Sequence, residues 1–129
     1  MKTISPLLIL ALGIIFSLTG CGGGGGGGSP TPETNFAPAS INGRTLVFQD
    51  PDITGVSTTY TFTAANYTTT GGDSGGYTYT RNEAVRHTAT LQIASSFSPV
   101  LNYQLTFTST AGGTFLDTAS SKTSTFTIR

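Results

Sequence analysis

From about Ser40 onward the chain alternates. In Val56-Ser57-Thr58-Thr59-Tyr60-Thr61-Phe62-Thr63 the positions Val56, Thr58, Tyr60 and Phe62 share one side, and Ser57, Thr59, Thr61 and Thr63 the other. A period of two places successive side chains on opposite faces of a pleated strand, so this stretch predicts a half-buried strand rather than a helix. Val85 to Ile93 repeats the pattern, with Val85, His87, Ala89, Leu91 and Ile93 on the apolar side. Leu101 to Thr108 repeats it again with Leu101, Tyr103, Leu105 and Phe107. Shorter candidates are Arg44 to Gln49, Asn66 to Thr69, Tyr77 to Thr80, Thr114 to Asp117 and Thr123 to Ile128, which makes roughly eight strands.

Turn-forming clusters separate them: Gln49 to Asp52, Gly71 to Gly76, Arg81 to Glu83, Ser95 to Pro99, Ala111 to Gly113 and Ala119 to Lys122. No window past Ser40 carries a helical stripe, and threonine and aromatic residues, which suit pleated surfaces, dominate. The expected fold class is all-β. Short connections favour pairing between consecutive strands, so the chain predicts a small antiparallel meander barrel, with a two-layer sandwich as the alternative. Phe48, Tyr60, Phe62, Tyr77, Tyr79, Tyr103, Phe107, Phe115 and Phe126 have the bulk to fill such a barrel. The outward positions are Thr, Ser, Gln and Asn, a face suited to water and not to lipid.

Composition narrows the functions. Of the 129 residues only 9% are charged and the formal net charge is zero, which leaves no basic stripe for a phosphate backbone and excludes nucleic acid as an expected partner. Hydrophobic residues at 36% permit a packed core. The single cysteine forms no intramolecular disulfide and has no second thiol beside it for a zinc site, so no metal or other cofactor is expected.

That cysteine stands in a telling place. Lys2 is followed by an apolar run, Pro6 to Leu18, and then by the small pair Thr19-Gly20 before Cys21. The run is shorter than the roughly 20 residues a permanent membrane helix needs, and its layout is that of an export signal over residues 1–20. Leu18-Thr19-Gly20-Cys21 resembles the lipobox of bacterial lipoproteins. The resemblance implies cleavage before Cys21, a diacylglycerol on its thiol, an acylated amine, and therefore a membrane partner. Gly22 follows in place of aspartate, which by the same resemblance implies passage to the outer membrane. Several acyl chains at about 0.8 kcal/mol per buried methylene make a durable anchor.

Gly22 to Gly28 is a run of glycine, and Ser29-Pro30-Thr31-Pro32-Glu33-Thr34-Asn35 continues without apolar periodicity. Polyglycine loses the most backbone entropy on ordering and buries nothing, so residues 21–37 read as a flexible leash spanning on the order of 20–25 Å. The folded domain is expected over 38–129.

One motif argues for an enzyme. Gly72-Asp73-Ser74-Gly75-Gly76 resembles the surroundings of the nucleophilic serine in chymotrypsin-like proteases. That chemistry needs a histidine base and a buried carboxylate behind the serine. The lone histidine, His87, follows Ser74 in the chain, whereas the family's histidine precedes its serine, in a chain more than twice this size. Strand-like residues flank the cluster on both sides, so it reads as a glycine-rich hairpin loop and no catalytic residue is expected. His87 reads instead as a rim residue bonded to a loop carbonyl or to Tyr77 or Tyr79. Together with Tyr103 these are the candidate ligand or rim contacts.

The run of strands through Gly76-Tyr77-Thr78-Tyr79-Thr80, Thr88 to Ile93 and Tyr103 to Ser109 resembles small secreted meander barrels of the calycin-like type, across residues 43–128. The chain lacks the tryptophan that lipocalins carry near the first strand. The sequence thus predicts a lipid-anchored envelope lipoprotein with a non-enzymatic structural or protein-binding domain. The alternatives are a carrier of a small apolar ligand, or a protease inhibitor acting through Gly71 to Gly76 or Ser95 to Pro99.

Overall fold

The computed structural model describes residues 33–129 of the chain. The expected export signal, Cys21 and the glycine run lie outside the described residues. Eight strands follow one another: β1 (Thr45–Gln49), β2 (Ser57–Phe62), β3 (Asn66–Thr69), β4 (Ser74–Arg81), β5 (Thr88–Ser95), β6 (Leu101–Ser109), β7 (Gly112–Asp117) and β8 (Lys122–Ile128). Each pairs antiparallel with its neighbours, and β8 returns to β1, with Leu46 opposite Ile128 and Phe48 opposite Phe126. The expected meander barrel is therefore closed, and the sandwich alternative is excluded by the β1–β8 pairing.

Alternation explains the core. In β5, Ala89, Leu91 and Ile93 are buried while Thr90, Gln92 and Ala94 are exposed. Facing them inside the barrel are Leu46, Phe48, Tyr60, Phe62, Tyr67, Leu105, Phe107, Phe115, Phe126 and Ile128. Each such side chain contributes about 1.5–3 kcal/mol on leaving water. The aromatic rings interlock edge to face between strands two apart, Phe48 of β1 against Phe115 of β7 at 4.9 Å and Phe107 of β6 against Phe126 of β8 at 5.0 Å between centroids. Side chains occupy the barrel interior, as the aromatic content predicted.

Several expectations change: the strand expected from Val56 starts at Ser57 with Val56 exposed, and Gly112 and Gly113 of the expected Ala111 to Gly113 turn belong to β7. The expected leash runs through Ala37, but Ala37 is buried and Phe36 packs against the core, so packing begins at Phe36. The strand expected from Val85 starts at Thr88. Val85 is exposed, and His87 sits in the preceding turn with φ of +62°, off the strand and off its inward face. The loop expected over Gly71 to Gly76 is shorter, because Ser74, Gly75 and Gly76 belong to β4. Of these glycines only Gly72 has positive φ, +86°. Gly75 serves close approach instead, since a Cβ there collides with the Ala94 carbonyl of β5.

An up-and-down barrel sends alternate loops to opposite ends. One end gathers residues 33–44, the β2–β3, β4–β5 and β6–β7 connections, and Arg129. The other gathers the β1–β2, β3–β4, β5–β6 and β7–β8 connections.

Candidate functional site: the open end of the barrel

The first end is plugged. Asn35 Oδ1 accepts the backbone N–H groups of His87 and Ala37, at 2.9 and 3.1 Å. The Phe36 N–H donates to His87 Nδ1 at 3.0 Å, and the two rings stack at 4.5 Å. Tyr79 donates to the Pro38 carbonyl at 2.9 Å and Tyr77 to the Thr63 carbonyl at 2.8 Å. His87 is thus held by a backbone donor and a phenyl ring, not by a loop carbonyl or by Tyr77 or Tyr79 as expected. Burial pushes the Tyr79 phenol up to about 12, so its proton stays in place to make this bond.

The second end is open. Its mouth is a cavity of about 150 Å³ lined by Phe48, Thr58, Tyr60, Tyr103, Phe115 and Asp117, among others. Small-molecule sites usually run about 300–1,000 Å³, so this one suits water or a single inserted side chain. Desolvation raises the phenols of Tyr60 and Tyr103, which face each other there. Both remain neutral hydrogen-bonding groups at physiological pH. Of the four residues expected as rim contacts, the structure places His87, Tyr77 and Tyr79 toward the plugged end and Tyr103 alone at the open mouth.

Asp73 organises the open end. Its Oδ2 accepts the hydroxyls of Tyr67 and Ser95, both at 2.9 Å. Its Oδ1 accepts the Ser96 hydroxyl and the Ser74 N–H at 2.9 Å, and the Ser96 N–H at 3.3 Å. Desolvation pulls the carboxyl upward, but the donors from Tyr67, Ser95 and Ser96 together outweigh it and hold it below the ordinary 3.8. Desolvation and the bond to this carboxylate in turn push the Tyr67 phenol up to about 12. Ser95 Oγ then accepts the Phe97 and Ser98 N–H groups at 3.0 and 3.1 Å. One carboxylate thereby ties the β3–β4 turn to the β5–β6 loop.

The protease-like motif resolves into this network. Ser74 and His87 stand at opposite ends of the β4–β5 hairpin, separated by the length of β4, on the order of 20 Å. Asp73, the motif's carboxylate, is engaged with Tyr67, Ser95 and Ser96. The structure therefore does not bring Ser74, His87 and a carboxylate together.

The loops at the open end carry apolar tips. Phe97 and Val100 on β5–β6, and Ile53 and Val56 on β1–β2, are exposed, Phe97 by 78%. These loops lie four strands apart around an eight-strand barrel, so the two pairs flank the mouth from opposite sides. Ile53 stands on a turn in which Asp50 Oδ1 accepts its N–H and that of Asp52, at 3.0 and 2.8 Å. The charges divide as well. Every aspartate of the described residues, Asp50, Asp52, Asp73 and Asp117, belongs to the open end, with Lys122 beside them. Every arginine, Arg44, Arg81, Arg86 and Arg129, belongs to the plugged end, where Arg81 pairs with Glu83 and Arg86 with Glu33. Among the described residues no group of three His, Cys, Asp or Glu side chains is placed to hold a metal ion.

Sequence reading missed Tyr67, Asp73 and the plug residues Asn35 and Phe36. No family model, curated protein or solved structure matches the chain.

Proposed function

We propose that the chain is a lipid-anchored lipoprotein of the cell envelope, held in the outer membrane through an acylated Cys21, and that its barrel is a non-enzymatic module that docks a protein at the open end. One observation carries the docking: Ile53, Val56, Phe97 and Val100 are kept in water on hydrogen-bonded turns at the end of the barrel away from Glu33, where the leash joins. Exposing large apolar side chains is unfavourable, and fixing their turns beforehand lowers the entropy lost on association.

Two measurements test this reading. Mass analysis of the mature protein is expected to show an N-terminal Cys21 bearing acyl chains, and a product that begins elsewhere overturns the anchor. Docking is tested by Phe97→Ser and Ile53→Ser in the full chain. Both are expected to abolish co-isolation of a stoichiometric partner from chemically cross-linked cells, and unchanged co-isolation overturns the site.

The inhibitor alternative draws support from the Asp73 clamp, which joins the two loops suited to that role and leaves Phe97 exposed on a hydrogen-bonded tip. It predicts stoichiometric inhibition of a protease that accepts phenylalanine, lost in Phe97→Ser. The carrier reading is disfavoured, because aromatic and aliphatic side chains occupy the barrel interior.

A further inference from the structure

From the apolar tips and the charges around them we infer that the open end takes a cationic polypeptide segment, one presenting an apolar side chain between lysines or arginines. The inference rests on the docking reading above and adds the chemistry of the partner.

The apolar part of the surface is divided. Phe97 and Val100 stand on one side of the mouth and Ile53 and Val56 on the other, with the small cavity of Tyr60, Tyr103 and Phe115 between them. The partner it fits spans the mouth, contacts both pairs, and sets one side chain into a space of about 150 Å³.

Charge selects among occupants. Asp50, Asp52, Asp73 and Asp117 surround the mouth against Lys122 alone, and Lys122 is already paired with Asp52. Asp73 and Asp117 are held below the ordinary carboxyl range. Each is raised by desolvation but lowered further by its donors, and for Asp117 these are Ser120, Ala119 and the Lys122 charge. An anionic lipid surface meets this end with like charge, as does a nucleic acid. A second copy docking open end to open end brings two acidic rims together, which costs association free energy. A segment with lysine or arginine flanking an apolar residue satisfies both parts of the surface, and steering by the rim raises its encounter rate.

The test places a photoreactive benzophenone amino acid at Phe97 or Ile53 of the full chain, with Val85 at the plugged end as the control, and irradiates the native cells. The expected result is a discrete protein adduct at both open-end positions and none at Val85, with the cross-linked peptide carrying net positive charge. The doubly substituted chain Asp50→Asn/Asp52→Asn keeps the Asp50 side-chain oxygen that caps the turn. It is expected to lower adduct yield about fivefold or more, on the scale of two rim charges. An adduct on a neutral or acidic peptide, or one indifferent to the asparagines, overturns the cationic partner while leaving protein docking intact. Adducts to lipid alone, to a second copy alone, or none at all overturn the docking reading itself.

Discussion

At the plugged end, apolar side chains are hidden and polar groups are consumed: Ile41 and Ala37 are buried, Phe36 covers His87, and Asn35 and Tyr79 spend their hydrogen bonds on backbone. At the open end, polar groups are consumed in the same way, but the large apolar side chains of the β1–β2 and β5–β6 loops are left outside. Among the described residues, Val85 is the one exposed large apolar side chain at the plugged end, against Ile53, Val56, Phe97 and Val100 at the other. Both ends therefore satisfy the backbone, and the difference lies in the connecting segments, which bury Ala37 and Ile41 at one end and leave their apolar tips in water at the other. The difference is one of covering: the open end holds its apolar tips on hydrogen-bonded turns and leaves them uncovered.

The largest test of this contrast compares Ile41→Ala with Phe97→Ala. Ile41 is fully buried, so its truncation is expected to cost about 2–5 kcal/mol in urea unfolding. Phe97→Ala is expected to stay within about 0.5 kcal/mol of the parent. Comparable losses at the two positions break the division between a stabilising end and a presenting end.

Next in size is Gly75→Ala. The new methyl meets the Ala94 carbonyl, and β4 and β5 must part locally, at a cost of about 1–3 kcal/mol in the same unfolding measurement. Gly72→Ala meets no atom within 4 Å but leaves alanine at φ of +86°, a strain of about 1–2 kcal/mol. Two glycines of one cluster thus serve for different reasons, and sequence could not separate them. A glycine in a strand and a glycine in a turn look alike when the strand's partner lies on the far side of a loop.

The same limit runs through the rest of the fold. β3 has the expected bounds and β6 extends them by one residue, because alternation over Leu101 to Thr108 is unbroken. Parity misled at Val56 and Val85, where apolar loop residues happen to keep step with the strand that follows. Phe36 was legible only as an aromatic in a polar stretch of leash-like composition. The Asp73 clamp had no local signal at all, since Ser95 and Ser96 reach it from the next hairpin. What alternation encodes is which face a residue takes, and the site depends on which loops meet.

Acid is expected to sharpen the comparison from the open side. The folded-state pKa of Asp73 lies below the ordinary 3.8, so the clamp's contribution is complete above that value. It is lost as pH falls through the lower folded-state value. In an NMR titration the amide signals of Ser96, Phe97 and Ser98 should move below about pH 3.8, while those of Ile41 and Tyr79, which have no tie to Asp73, stay put. Asp73→Asn should reproduce the displaced positions at neutral pH, because an amide turns donors toward groups that are themselves donating. Coincident movement at both ends counts against a local clamp.

The smallest effect separates the ends by sign. His87 and Ser121 are the two non-glycine residues at positive φ among the described residues, at +62° and +58°. Both carry the left-handed penalty of about 1–2 kcal/mol that glycine avoids. Ser121 is an exposed member of the β7–β8 turn at the open end, so Ser121→Gly removes strain and loses little. After the extra chain entropy of glycine it should stabilise by about 0.5 kcal/mol. His87→Gly relieves the same strain but gives up the bond from the Phe36 N–H and the ring stacked on it. Those are worth about 1–2 kcal/mol together, so the net change should be zero to mildly destabilising, with the Phe36 signals shifted. If His87→Gly proved as stabilising as Ser121→Gly, the histidine would not be holding the plug, and the plugged end would owe its closure to Ile41, Ala37 and the Tyr79 bond to Pro38.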